Sequence, residues 1–221
     1  MLDLRWAGLL AAAAIVAMGS QPLAAHAATR CAGSKGSVTV VANAQVRVYF
    51  GRAAPGYHAC SKVTGKLTKL GPPQADLTVV DLSRWRLRGS LLAYVREKAF
   101  YKESPTFVVV VRDARTGHTL RALDAAPPDG SGSAVGYDQQ LDLGVRDLAL
   151  TADGRVAWIV TNPYAKGFVM GDAATQVWKA DRAGVTLLDP GPDDIAPGSL
   201  ELTGDALQWI RGGQPQSATL S

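Results

Sequence analysis

LELTGDALQWI, Leu200 to Ile210, reads as two short strands about a Gly-Asp turn. Leucine, β-branched and aromatic residues suit a pleated, half-buried surface, and a glycine takes the positive φ that a tight hairpin needs. The design recurs in VVANAQVRVYF from Val40, WRLRGSLLAYV from Trp85 and LALTADGRVAWI from Leu148. In each, a leading residue and a closing aromatic stand nine or ten positions apart: Val40 and Tyr49, Trp85 and Tyr94, Leu148 and Trp158, Leu200 and Trp209. A hairpin written four times signals a repeat architecture.

A second hairpin follows the first in three places, as CSKVTGKLTKL, RDARTGHTLRAL and KADRAGVTLL, with turns ending in Gly65, Gly117 and Gly184. Runs such as TFVVVVRD and TQVWKAD are bounded by Gly, Pro, Asn and Asp, and long helical patterns are absent after the first residues. The fold class is therefore all-β. Two linked hairpins make a module of four strands, at roughly 48 residues per unit, which is the pattern of a propeller blade. The modules fall near residues 38–70, 77–123, 145–188 and 199–220, and the last has room for only one strand after its hairpin.

The turn in DARTGHTL resembles the Asp-x-x-Thr-Gly turn of PQQ-type propeller repeats, and the modules resemble secreted bacterial β-propeller repeat proteins with PQQ-like or WD40-like blades. The resemblance implies a four-module β-propeller-like repeat architecture, closed or incomplete; a β-sandwich is the alternative. Closing a ring calls for the strand around Val38 to Val41, or its neighbourhood, to complete the short last sheet and remove an open edge. The tryptophans that dock PQQ-type blades are not at their usual place after the Thr-Gly turn, so the resemblance implies the blade and no cofactor.

The first residues set a compartment. Arg5 precedes an apolar run from Ala7 to Met18, and Ala25-His26-Ala27 is a small-x-small cleavage site. The apolar run is too short for a bilayer core, which takes about twenty residues. Residues 1–27 read as a secretory signal and 28–221 as one domain, secreted and without a membrane anchor after cleavage. The only two cysteines, Cys31 and Cys60, lie in the exported part, where a pair favours a disulfide. With 47% hydrophobic and 19% charged residues, the chain suits a single globular core. A net charge of +4 suggests mild affinity for anionic envelope polymers at most, and nucleic acid is not an expected partner outside the cell.

Tight turns alternate with long connections, and antiparallel order sends the two kinds to opposite ends of the sheets. The long set covers residues 51–56, 97–105, 124–143, 161–174 and 189–198. A face so elaborated is where binding groups concentrate. Its candidate residues are Arg52, Phe100, Tyr101, Lys102, Tyr137, Asp138, Tyr164, Lys166, Phe168 and Asp172, since rings give flat contact and charges fix orientation.

Tyr49, Tyr94, Trp158 and Trp209 read as core, because each holds the equivalent place in its repeat. In RWRLR, Arg84, Arg86 and Arg88 alternate onto one side of a strand and read as a solvated outer face rather than as a basic stripe continued by Lys62, Lys66 and Lys69. Support for catalysis is thin: His58 and His118 are placed apart, and Asp138, Asp172, Asp193 and Asp194 lie in segments that read equally well as turns. His58-x-Cys60 is not a zinc-ligand spacing, and Asp129 alone does not make a calcium site, so no metal is expected. The expected function is a secreted, non-enzymatic binding or scaffold module that offers its long-loop face to a protein or an anionic or polysaccharide envelope polymer. The alternative is a small hydrolase using loop carboxylates.

Overall fold

The computed structural model describes residues 31–32, 36–52, 55–71, 78–100, 106–126, 144–162, 174–191 and 194–221, and the segment read as a signal lies outside them. The described residues form strands and turns without a helix. A first sheet holds β1 (Val38–Ala42), β2 (Val46–Gly51), β3 (Gly56–Ser61) and β4 (Leu67–Lys69). A second holds β5 (Thr78–Arg88), β6 (Leu91–Phe100), β7 (Thr106–Asp113) and β8 (Thr119–Asp124). The third consists of β9 (Gly144–Leu150), β10 (Val156–Asn162), β11 (Ala174–Asp181) and β12 (Gly184–Asp189). The last consists of β13 (Glu201–Thr203), β14 (Ala206–Arg211) and β15 (Gln214–Thr219). Every sheet is an antiparallel meander in chain order, three of four strands and the last of three. The all-β reading and the four modules hold. β6 runs on to Phe100, so residues 97–100 belong to a strand and not to a loop.

β1 pairs with β2, as the hairpin in VVANAQVRVYF reads, and so does not meet the condition for closing a ring by completing the last sheet. The turn between them explains why: Asn43 Oδ1 accepts the N–H groups of Gln45 and Val46, each at 2.8 Å, so a short local closure fixes the pair. Joining the far end of the chain would instead close a long loop at an entropic cost.

The second hairpins are closed by their own side chains. Asp113 Oδ1 accepts Arg115 N at 2.9 Å while Gly117 N donates to Asp113 O at 2.7 Å. Gly117 has φ +79°, and a Cβ there would stand 2.9 Å from Thr68 Oγ1 of the first sheet, so the turn needs glycine for its conformation and for the close approach. Asp181 Oδ1 accepts Ala183 N at 2.9 Å in the corresponding turn of the third sheet.

The sheets meet in chain order. β1 lies against β5, β5 against β9, and β9 against β13. One core lies between the first and second sheets, around Val46, Val48, Leu92, Tyr94 and Val110. Another lies between the second and third, around Val95, Val109, Val111, Leu148 and Trp158. The next lies between the third and fourth, around Ile159, Val177, Leu207, Trp209 and Leu220. Complete burial of each such side chain stabilises by about 1.5–3 kcal/mol relative to leaving it exposed.

The repeated aromatics carry these contacts, as their equivalent places suggest. Three of the four lean on the sheet before them and donate to the end of that sheet. Tyr94 OH reaches Leu70 O at 3.4 Å, Trp158 Nε1 reaches Ala125 O at 2.7 Å, and Trp209 Nε1 reaches Asp189 Oδ2 at 3.0 Å. Among the described residues no sheet precedes that of Tyr49, and a disulfide between Cys31 and Cys60 holds the N-terminal segment against it. Arg47 ties that segment down, donating from Nη1 to Cys31 O at 2.8 Å and also to Ala32 O, with its guanidinium 4.9 Å from the Tyr49 ring centre.

Two turn aspartates make stability depend on acid. Arg155 Nε and the Thr151 hydroxyl donate to Asp153 and lower its pKa from 3.8 to about 2. Asp181 is lowered by Lys179, whose Nζ lies 2.7 Å from its Oδ2. Because the folded values lie below the unfolded ones, this stabilisation is complete above pH 3.8 and is lost as pH falls toward about 2. Glu97 acts in the opposite sense, since burial and then Asp81 raise its pKa and so cost stability once it ionises. The thermal midpoint of an Asp153→Asn, Asp181→Asn double variant should therefore fall less between pH 3.8 and about 2 than that of the native chain. Equal falls would remove these two carboxylates from the acid response.

Candidate functional site

The meanders give the molecule two unlike ends. At one end are the turns within the hairpins: residues 43–45, 62–66, 89–90, 114–118, 151–155, 182–183 and 204–205. These turns touch one another, as where Asn43 Nδ2 donates to Gly89 O at 3.0 Å and Thr64 Oγ1 to Arg115 O at 3.4 Å. At the other end stand the connections after β4, β6, β8, β10 and β12, which are longer, together with the turns after β2 and β14.

Of the candidate binding residues, Arg52 and Phe100 are among the described residues. Arg52 is exposed in the turn after β2, beside Gly36 of the N-terminal segment. Phe100 closes β6. Tyr101, Lys102, Tyr137, Asp138, Tyr164, Lys166, Phe168 and Asp172 lie outside the described residues.

A feature missed by sequence reading also lies toward this end. Rings follow one another from Phe50 to Tyr57, Tyr57 to Trp85 and Trp85 to Tyr94, each pair with centres 5.3 Å apart. The row crosses from the first sheet to the second, and Phe50 is its exposed end. Asp81 faces Glu97 across β5 and β6, and Tyr57 OH reaches Asp81 Oδ1 at 3.4 Å. Two carboxylates thus share a partly desolvated place, and the Tyr57 hydroxyl is raised by burial and then by Asp81. The ring pairs couple residues far apart in sequence, so no local motif announces them.

The arginines of RWRLR are exposed and share one side, as the alternation reads, with Trp85 and Leu87 against the core shared with the first sheet; what the alternation does not show is their partners. A bulge between Ser83 and Arg86 shifts the register of β5. Ala93 and Leu91, the partners of Arg86 and Arg88, lie in the core shared with the third sheet, whereas Leu92, the partner of Leu87, lies in the core shared with the first. Arg84, in the bulge, has φ +54°.

All three guanidiniums reach β9. Arg84 Nε donates to Val145 O at 3.0 Å and Arg88 Nε to Leu150 O at 3.4 Å, while Arg86 Nη2 pairs with Asp147 Oδ1 at 2.7 Å. β9 is the first strand of its sheet, so one edge of it has no strand partner in that sheet. The arginines satisfy carbonyls there that a bare edge would expose. Asp147 extends the link by accepting Leu200 N on Oδ2 at 3.0 Å, joining three sheets through one buried carboxylate. Beside this seam, Arg86, Leu87 and Arg88 of β5, residues 148–150 of β9, and Leu200 and Leu202 line a cavity of about 180 Å³.

Other polar candidates are engaged in structure. Asp194 lies 3.5 Å from Arg211 Nε and its carbonyl accepts Gly212 N, so it serves the end of the last sheet. Lys62 Nζ donates to Asn43 O at 2.7 Å. His58 stacks on Tyr49 at 5.4 Å, and His118 is exposed beside the Gly117 turn. Among the described residues, no group of three His, Cys, Asp or Glu side chains is arranged to hold a metal ion. Nor is any described helix long and apolar enough to cross a membrane. No family model, curated protein or solved structure matches the chain.

Proposed function

We propose that the protein is a secreted, non-enzymatic binding or scaffold module whose sheets form an open, propeller-like fan, and that it offers the end carrying its long connections to a protein or an envelope polymer. The observation that carries this reading is the strand order. It collects the tight turns at one end, where they brace one another, and leaves the longer connections at the other. Loops on a rigid scaffold can vary in sequence without loss of the core, and so are where recognition groups accumulate.

The openness of the fan is supported at both extremes. The first sheet is covered by the disulfide-held segment, in the place where a preceding sheet would stand. On the last sheet the register puts Glu201, Gln208 and Ser217 on the side away from Trp209, with Thr203 and Thr219, and all five are exposed. A polar outer face is how a terminal repeat stays soluble without a neighbour. The disulfide also fits an oxidising, extracytoplasmic compartment.

The reading is tested by retention of the mature chain on washed cell envelopes and on immobilised extracellular proteins. Replacing Tyr101, Tyr164 and Lys166 by alanine should weaken retention at least tenfold with an unchanged thermal midpoint, since the sequence reads them as long connections, which contribute little to a core. Replacing Lys62, Lys66 and Arg115 at the tight-turn end should leave it unchanged. The opposite pattern would move the binding face to the tight turns.

A further inference from the structure

The first strand of every sheet leaves one edge without a strand partner. In the later sheets, side chains of the sheet before take part in covering that edge. Asn43 Nδ2 donates to Gly89 O just past β5, the β5 arginines donate to Val145 O and Leu150 O of β9, and Leu200 N beside β13 donates to Asp147. β1 comes first, and among the described residues neither a strand nor a side chain takes up its free edge. Nor is that edge blunted. Open edges are usually guarded by charge or proline, as β15 is by Pro215, whereas β1 reads Val-Thr-Val-Val-Ala.

The two sides of β1 differ. Val38, 50% exposed, is the register partner of Phe50, the 36% exposed end of the row of rings. Thr39 faces the other way, and its Oγ1 accepts Arg47 Nε at 2.9 Å. Arg52 is exposed beside Gly36, just before β1, and among the described residues its guanidinium makes no bond. Between Cys31 and Gly71 the chain has Lys35, Arg47, Arg52, Lys62, Lys66 and Lys69 and no Asp or Glu. A second copy laid against β1 would bring two such sets of cations together, and like charges oppose association. The same charges favour an acidic partner. β12 also exposes Val185 and Leu187, but its sheet carries Asp147 and Asp189 beside Arg146 and Lys179 and so selects neither sign of charge.

We propose that β1 takes up an extended segment of a partner protein by strand addition, and that this segment alternates apolar and acidic residues. Its backbone continues the ladder on the free edge of β1, which supplies affinity, while its side chains supply specificity. The apolar ones lie along Val38 and the exposed side of Phe50. The carboxylates lie on the side of Thr39 and Arg47, with Arg52 at the end of the edge. Alternation follows from the pleat, which sends successive side chains to opposite sides of a sheet. The site does not rest on the long-connection reading, because it uses a strand edge and not the connections.

Fluorescence anisotropy of a labelled peptide alternating Glu and Val, titrated with the mature, oxidised chain, tests the assignment. One control peptide alternates Lys and Val. The other alternates Glu and Pro, which keeps acidic charge and removes backbone donors. The Glu-Val peptide should bind saturably and at least tenfold more tightly than either control, and at saturation it should slow hydrogen exchange in β1 at least tenfold. Val38→Asp, at an exposed position, should weaken that binding at least tenfold with the thermal midpoint in place. Arg52→Glu should weaken it as well, and stands as the test if Val38→Asp does not fold. The proposal is overturned if either control binds as tightly, if no peptide binds saturably to folded protein, if exchange in β1 does not slow, or if folded Val38→Asp binds as well as the native chain. Sedimentation showing a dimer that Val38→Asp disperses would also overturn it, by making a second copy the occupant of the edge.

Discussion

Replacing Trp158 with alanine is expected to lower the free energy of unfolding by about 3–5 kcal/mol, the range for large-to-small changes of an aromatic in a core. Trp158 is 0% exposed, and its ring packs in the core that joins the second and third sheets, beside Val95, Val109, Val111 and Leu148. Its loss has two parts. The ring leaves a cavity between two sheets whose strands are fixed by their own ladders, which limits collapse. Ala125 O also loses the indole N–H that satisfies it at 2.7 Å, and a buried acceptor without its donor costs about 1–3 kcal/mol. Urea denaturation followed by far-ultraviolet circular dichroism measures the sum. Leu120→Ala is the control, since Leu120 is 50% exposed on β8 and its loss should cost less than about 1 kcal/mol. A Trp158 effect no larger than that of Leu120 would remove the aromatic from the core between the sheets.

The repeat made much of this legible. Hairpins that begin apolar and end aromatic marked the modules at 38–70, 77–123, 145–188 and 199–220, and the sheets span Val38–Lys69, Thr78–Asp124, Gly144–Asp189 and Glu201–Thr219. Glycines at the ends of the second hairpins were readable for the same local reason, as the φ values of +71°, +79° and +115° at Gly65, Gly117 and Gly184 show. Partners were less legible than faces. RWRLR placed three arginines on one exposed side, where they stand, but the bulge that aims that side at β9 is invisible in the hydrophobic pattern. The groups that receive those arginines are mostly backbone carbonyls of β9, which carry no sequence signal at all. Asp147 could have been noticed as a charge between Val145 and Leu148, but nothing local joins it to Arg86, 61 residues away. The row from Phe50 to Tyr94 was hidden likewise, because Tyr57 and Trp85 meet only once two sheets have packed.

Converting both Cys31 and Cys60 to serine is expected to cost about 3–4 kcal/mol by the chain-entropy model, for a cross-link between residues 29 apart. Intact-mass measurement with and without reductant first establishes the bond: two free thiols in oxidised protein would contradict it. The location of the damage carries more information than its size. Tyr94, Trp158 and Trp209 each rest on a preceding sheet, whereas Tyr49 rests on the segment that Cys60 holds. Releasing that segment uncovers one face of the first sheet, together with the guanidinium of Arg47 that binds the carbonyls of Cys31 and Ala32. The opposite face, with Val46, Val48 and Ala59 against the second sheet, is untouched. In an array where each sheet contacts only its neighbours, such a loss stays near the end at which it occurs. Hydrogen exchange in the double variant should therefore rise in β1 to β4 by at least tenfold more than in β9 to β12. Equal acceleration throughout would mean that the sheets unfold as one unit, and the segment would then be part of a common core rather than the cover of one end.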